Sequence, residues 1–295
     1  MAVRSLLPLM LLAALPFAAL AGTPIDETRP LDARGSVDIS NVKGRIQVRV
    51  WDKPQVHIGG TLGRGVERFD IDGEGDSLDI KVKYPNNSGD SEPTELIVDV
   101  PVLASLDVNG VSADIDITGT AGRTLEVNSV SGGISVAGAP GEADVNSVSG
   151  DLRLTLNSND IKAQTVSGDI ALSGRIKGEV SAETVSGNLG VDSKGERLRK
   201  VSSNTVSGNA TLRVALADGG RIAAESVSGD ITLSMPKSLS AQVGAKSFSG
   251  DLSAPGARIE RPTHGPGASF EQRYGGGNGE IRLETFSGDA TLELN

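Results

Sequence analysis

Ile161-Lys-Ala-Gln-Thr-Val-Ser-Gly-Asp-Ile-Ala-Leu172 is the stretch on which the fold turns. Ile161, Ala163 and Thr165 alternate with Lys162 and Gln164, and Ile170 and Leu172 flank Ala171, so two strands with one apolar face each are joined by Ser167-Gly168-Asp169. The reading is a coil made of a strand, a tight corner, a second strand and a looser return. Ile161, Val166, Ile170 and Leu172 are its expected buried set. Glycine at such a corner suits a positive φ, and Ser and Asp can bond nearby backbone groups.

The same phrase returns along the chain. Aligned on its central apolar residue, the copies fall at Val111, Val130, Val148, Val166, Val185, Val206, Val227, Phe248 and Phe286, with steps of 19, 18, 18, 19, 21, 21, 21 and 38 residues. Corner glycines are expected at Gly132, Gly150, Gly168, Gly187, Gly208, Gly229, Gly250 and Gly288. A period near twenty is the signature of a stacked repeat, because one coil cannot bury its own apolar face and needs neighbours. The fold class is therefore all-β, a single-chain parallel β-solenoid (β-helix) of roughly nine to ten coils.

Outside the repeat, residues 1–21 read as a secretory signal peptide: Arg4, an apolar run from Leu6 to Leu20, and small residues before Gly22. Its apolar run is short for a membrane span, so no stable membrane insertion is expected. The address is periplasmic or secreted at the cell surface. Residues 22–36 read as an extended leader. Residues 37–101, rich in alternating segments and with a hairpin around Gly73-Glu-Gly75, read as a β-rich N-terminal cap on the solenoid at 102–295. A Gly/Pro-rich insertion at 255–280 interrupts the repeat where one corner phrase is missing.

Composition narrows the function classes. The formal charge is −10, and −11 once Arg4 leaves with the signal, so nucleic acid is excluded as a partner by the lack of a basic surface. With no cysteine there is no disulfide framework or thiolate metal site. Histidine occurs only at His57 and His264, and no nucleophilic triad is visible.

The carriers of a wider resemblance are Val48-Arg-Val-Trp51-Asp52-x-Pro54, Val98-Asp-Val-Pro101 and the recurrent Ser-Gly-Asp phrase from Val148 onward. With these the chain resembles a bacterial extracytoplasmic domain-of-unknown-function family labelled "putative adhesin". The resemblance implies a β-solenoid and surface or matrix interaction. It offers no catalytic residues to carry over.

Four candidate sites follow. Asp151 and Asp169, and Asp230 and Asp251, read as adjacent corner pairs that could take Ca²⁺, although turn chemistry alone accounts for the row and no cofactor is expected. A row of hydroxyls from Ser129 to Thr285 precedes the corners and could form an internal ladder. The small outward residues of the second strands, such as Ala171, Gly190 and Thr211, would make a flat docking face. The insertion gathers Arg258, Arg261, His264, Phe270, Arg273 and Tyr274 on an otherwise acidic, ring-poor molecule, and is the expected ligand site. The functional expectation is a non-enzymatic exported binding or scaffold module of the cell envelope, its partner an envelope or matrix polysaccharide or a surface protein. The alternatives are a glycan-active β-helix enzyme such as a polysaccharide lyase, using Arg153 beside Asp151 and Asp169, and a homo-oligomer formed through an uncovered last coil at Ala290–Leu294.

Overall fold

The computed structural model describes residues 22–85 and 91–295. The signal segment lies outside the described residues, as do residues 86–90 of a polar loop. Every regular element among the described residues is a β-strand, and most pairings are parallel. Alternation in the sequence is the cause: inward residues every second position give each strand one apolar face, which only a second layer can cover.

The coil that opened the sequence reading places Asp160–Ser167 in one sheet and Ile170–Gly174 in the other. Each position stacks on its equivalent one coil on, Ile161 beside Val180, Thr165 beside Thr184, Ile170 beside Leu189 and Leu172 beside Val191. Ile161, Ala163, Ile170, Leu172 and, on the return, Ile176 are buried between the sheets. The four larger side chains contribute roughly 6 to 12 kcal/mol gross per coil before conformational entropy is subtracted. Val166 is not among them. It stands half exposed, because inward positions at 161, 163 and 165 put 166 on the opposite side of the strand.

At the N-terminal side Thr23–Trp51 is one long, bent strand. Its residues 23–30, read as part of an extended leader, pair antiparallel with Gln55–Leu62. Its residues 36–51 already form a coil, so the two sheets begin before residue 102. That coil lies inside the stack: Val37 sits between Leu78 and Leu106, and Ile46 between Leu96 and Ile115. The hairpin expected near residue 74 is present. Gly73 and Gly75 take φ values of 100 and 71, and the N–H of Glu67 reaches the carbonyl of Lys83 at 2.9 Å.

The 38-residue step resolves into a change of stacking order. After the coil that holds Arg221–Ser226 and Ile231–Met235, the chain skips one level and builds Ala241–Ser247 and Leu252–Ser253. It adds Ala268–Tyr274 antiparallel outside Ala241–Ser247, turns through Gly275 and Gly277 with positive φ, and then fills the skipped level with Gly279–Thr285 and Ala290–Leu294. Ile281 thus lies between Ile222 and Val243. The last strand was expected to be an uncovered surface for self-association. Instead Ile231–Met235 pairs along one of its sides, and Leu252 and Ser253 cover Ala290 and Thr291 on the other.

Candidate functional site

The corner of each coil is built from five residues with separate tasks. The hydroxyl residue before the apolar one points inward and is buried, from Ser129 to Thr285. These hydroxyls do not bond one another, as an internal ladder would require; Ser129, Thr165, Thr184, Thr205, Ser247 and Thr285 bond corner backbone atoms, and the buried hydroxyls of Ser147 and Ser226 have no partner. Thr165 donates to the carbonyl of Gly150 at 3.3 Å, Thr184 to that of Gly168 at 3.2 Å, and Ser247 to that of Gly288 at 3.1 Å. The hydroxyl oxygen of Ser129 accepts the N–H of Gly132 at 3.1 Å.

The corner glycines answer a different demand from the one expected of them. None has a positive φ. A Cβ added to Gly168 would lie 2.3 Å from the carbonyl oxygen of Gly150, one on Gly187 would lie 2.0 Å from that of Gly168, and one on Gly208 would lie 1.9 Å from that of Gly187. The coils touch backbone to backbone here, so the glycine column is a close-approach requirement.

The acidic row is likewise occupied by the backbone. Asp151 Oδ1 accepts the N–H of Asp169 at 3.1 Å, Asp169 Oδ1 that of Asn188 at 2.7 Å, and Asn188 Oδ1 that of Asn209 at 3.2 Å. The ladder continues from Asn209 to Asp230, Asp289 and Asp251. Asp151 and Asp169 are neighbours, as read from the repeat. Asp230 and Asp251 are not, because Asp289 of the inserted coil stands between them. Among the described residues no three metal-ligating side chains converge.

What the corners present to solvent is the apolar residue. Val111, Val130, Val148, Val166, Val185, Val206, Val227, Phe286 and Phe248 follow one another in space, each 44 to 55% exposed. Phe286 and Phe248 stack with ring centroids 4.6 Å apart and planes within 6°. Beside this column runs a groove of about 1090 Å³. Its floor is Thr165, Thr184 and Thr205, its far wall Gln164, Glu183, Asn204 and Glu225, and Pro262 and Gly267 bound it near the two rings. The sequence reading missed this site by placing Val166 in the core. The signal that finds it is parity along the strand.

The insertion does not assemble the cluster expected of it. Phe270 is 2% exposed and belongs to the core, held there by the antiparallel pairing of Ala268–Tyr274 with Ala241–Ser247. Tyr274 packs partly buried, donates to the carbonyl of Pro255 at 2.7 Å, and its phenol is pushed up by burial. Arg261 pairs with Asp251 at 2.6 Å, and Arg273 Nε donates to the carbonyl of Gly276 at 3.1 Å. Arg258 and His264 are exposed. The insertion is chiefly an edge cover for the first sheet. Arg153, the candidate for lyase chemistry, is bound at 2.9 Å to Asp151 on an exposed strand.

Two further polar constellations lie toward the N-terminal coils. Asp79, Asp38, Asp107, Glu126 and Asp144 occupy one position of five successive strands, and the last four line a groove of about 800 Å³. Burial raises the Asp107 carboxyl, and the neighbouring Asp38 and Glu126 add to it, while a hydrogen bond from Asn109 opposes them. Elsewhere, His57 bridges two strands. Its ring nitrogens meet Asp26 at 3.0 Å and Asp99 at 3.3 Å, and Arg49 Nε donates to Asp99 at 2.9 Å. The hydrogen bonds to Asp26 and then Asp99 raise the imidazole above its ordinary value.

A two-sheeted, largely parallel β-solenoid with backbone-locked corners and one exposed apolar column is the class that these features define. The chain belongs to the Toastrack DUF4097 family, whose model matches residues 30–220 and again 217–293. No curated protein matches it. Solved structures with the same architecture include a "putative lipid binding protein" from Parabacteroides distasonis, 15% identical with a TM-score of 0.54 over 93% of this chain and 98% of that one. A "putative adhesin" from the same organism is 14% identical with a TM-score of 0.52, at the same coverage. A "putative adhesin" from Parabacteroides merdae is 12% identical with a TM-score of 0.50, covering 93% and 97%.

Proposed function

We propose that this chain is an exported, non-catalytic binding module of the bacterial cell envelope that holds a macromolecular partner along its Val/Phe column. The observation that carries the reading is the nine apolar side chains standing half exposed in one line. An apolar patch of that extent is uncommon on a monomer without an interaction role. The names of the solved relatives, adhesin and lipid binding, agree with a binding role of this kind. Between the two partner classes expected from the sequence, the column favours a protein surface over a polysaccharide. Valine offers no hydrogen bonds to sugar hydroxyls, and the only rings on the column are Phe248 and Phe286.

The test is binding of the purified mature chain, by surface-immobilised interferometry, to an envelope protein extract and to an array of envelope polysaccharides. The comparison is with a Val166→Ser/Val206→Ser variant. Saturable binding to the protein fraction that falls at least tenfold in the variant supports the reading. Binding confined to polysaccharide, or indifferent to both substitutions, overturns it.

A further inference from the structure

We infer that the occupant of the apolar column is a second copy of this chain, packed against it about a two-fold axis with the columns antiparallel. The inference rests on the reading of the column as a contact surface and names its partner. Three observations lead there.

The first is extent. Nine corners at the spacing of hydrogen-bonded strands make a straight line about 38 Å long. Half-exposed valines and phenylalanines along it present on the order of 600 Å² of apolar surface, against the roughly 800 Å² per partner of a stable interface. The flanking serines and the groove wall supply the remainder. A short ligand would leave most of the line wet, whereas a second rod of the same length covers all of it.

The second is symmetry. The column is a repeat of one side chain at one spacing, so its own copy is the surface that matches it step for step. β-Branched side chains facing each other interleave along the line without a change of rotamer.

The third is the polar strip beside it, which carries a direction. In spatial order it reads Asn109, Asn128, Asn146, Gln164, then Glu183, Asn204, Glu225, Glu284 and Lys246. The first four are amides, and the last five hold three carboxylates with Asn204 and Lys246 among them. Parallel columns would set the acidic half at the same end as its own copy, where repulsion grows as water leaves. Antiparallel columns centred on Val185 set Asn128 against Glu284 and Asn146 against Glu225, uncharged amides that already donate within their own chain against carboxylates, so that Glu183 alone among the acidic residues meets its own copy. The same flank then faces itself, so the exposed serine after each corner approaches its counterpart from the other copy.

The chain has no cysteine, so single introduced thiols report these approaches cleanly. Light scattering over a concentration series is expected to give a dimer for the mature chain and a monomer for Val185→Asp. That variant should weaken association at least tenfold while leaving the circular dichroism spectrum and melting temperature unchanged, since Val185 is outside the core. Under mild oxidation Ser186→Cys should cross-link to itself. Ser131→Cys and Ser287→Cys should cross-link when mixed and not singly. A wild-type chain that stays monomeric at several hundred micromolar overturns the inference, as does self-cross-linking of Ser131→Cys, which would mean that the columns are not antiparallel about Val185. Should the chain be monomeric while Val166→Ser/Val206→Ser still loses envelope binding, the contact-surface reading survives and only the identity of the partner falls.

Discussion

Replacing Gly187 with alanine tests the corner geometry directly. The added Cβ would lie 2.0 Å from the Gly168 carbonyl oxygen and 2.6 Å from its carbon, where ordinary contact needs well over 3 Å. No rotamer relieves it, because both atoms are backbone. The coils must part by more than 1 Å at that corner, an overpacking cost of about 1 to 3 kcal/mol. Parting also stretches the bonds that cross the same gap, Asn188 N–H to Asp169 Oδ1 at 2.7 Å and Ile170 N–H to the Asn188 carbonyl at 2.9 Å. With each such bond worth about 1 kcal/mol net, the total comes to roughly 3 to 5 kcal/mol. Gly190→Ala in the same coil is the control, since its Cβ would meet nothing closer than 3.7 Å. Urea unfolding followed by circular dichroism should show a large fall in midpoint for Gly187→Ala and under about 1 kcal/mol for Gly190→Ala. A second comparison separates close approach from backbone conformation. Asparagine tolerates positive φ better than alanine, so a φ requirement would make Gly187→Asn the milder change. The close approach makes it the worse one. Equal behaviour of Gly187→Ala and Gly190→Ala, or a milder Gly187→Asn, would refute the reasoning.

The His57 clip has a signed pH dependence. Its raised value means that the ion pairs to Asp26 and Asp99 add stability below the unfolded value of 6.5, and that this is lost as pH rises through the folded value. Amide exchange at residues 23–30 should therefore quicken, beyond its intrinsic rate, as pH rises from 6.5 through the raised folded value, and His57→Gln should remove that excess. Asp169→Ala takes away the acceptor for the Asn188 N–H and should cost about 1 to 2 kcal/mol in urea unfolding, whereas Asp169→Asn, which keeps an Oδ1, should cost little. Because the backbone already takes Oδ1 of both Asp151 and Asp169, and Arg153 takes Asp151 Oδ2, adding calcium should leave the melting temperature unchanged; a rise would show that the ion displaces these bonds. Phe286→Ala should cost about 0.5 to 1.5 kcal/mol for the lost stacking on Phe248, and should reduce binding of an apolar dye.

The coil was legible because its causes are local: alternating inward residues, a glycine at each corner and a fixed period. The exposed column was equally present in the letters. It was missed because valine is usually an interior residue, and that prior displaced the count of positions along the strand. The purpose of the corner glycines was not legible, since a close approach depends on the neighbouring coil and leaves no trace in its own tripeptide. The stacking order was hidden for a related reason. Nothing near Phe248 or Phe286 states which of them follows Val227, and the choice is made by contacts between residues 222 and 281 that the chain separates widely. The same distance in sequence concealed that Phe270 would be a core residue, because its burial comes from an antiparallel strand that no repeat announces.

The inserted coil at 279–294 also dictates a sequence of events in time. A chain delivered from its N-terminal side can lay every coil from residue 105 to Met235 onto a coil already made, the first of them onto residues 36–49. The segment 241–253 then finds no finished surface to lie on, because the level beneath it is made of residues not yet delivered. Native pairing at this level is complete only when residues 279–294 lie between the two earlier coils, which satisfies both faces of the late coil. A chain interrupted anywhere between 254 and 278 would be left with raw strand edges at that level, open to proteases or to another chain. The fold therefore carries its own check on completeness, set by the order in which its layers arrive.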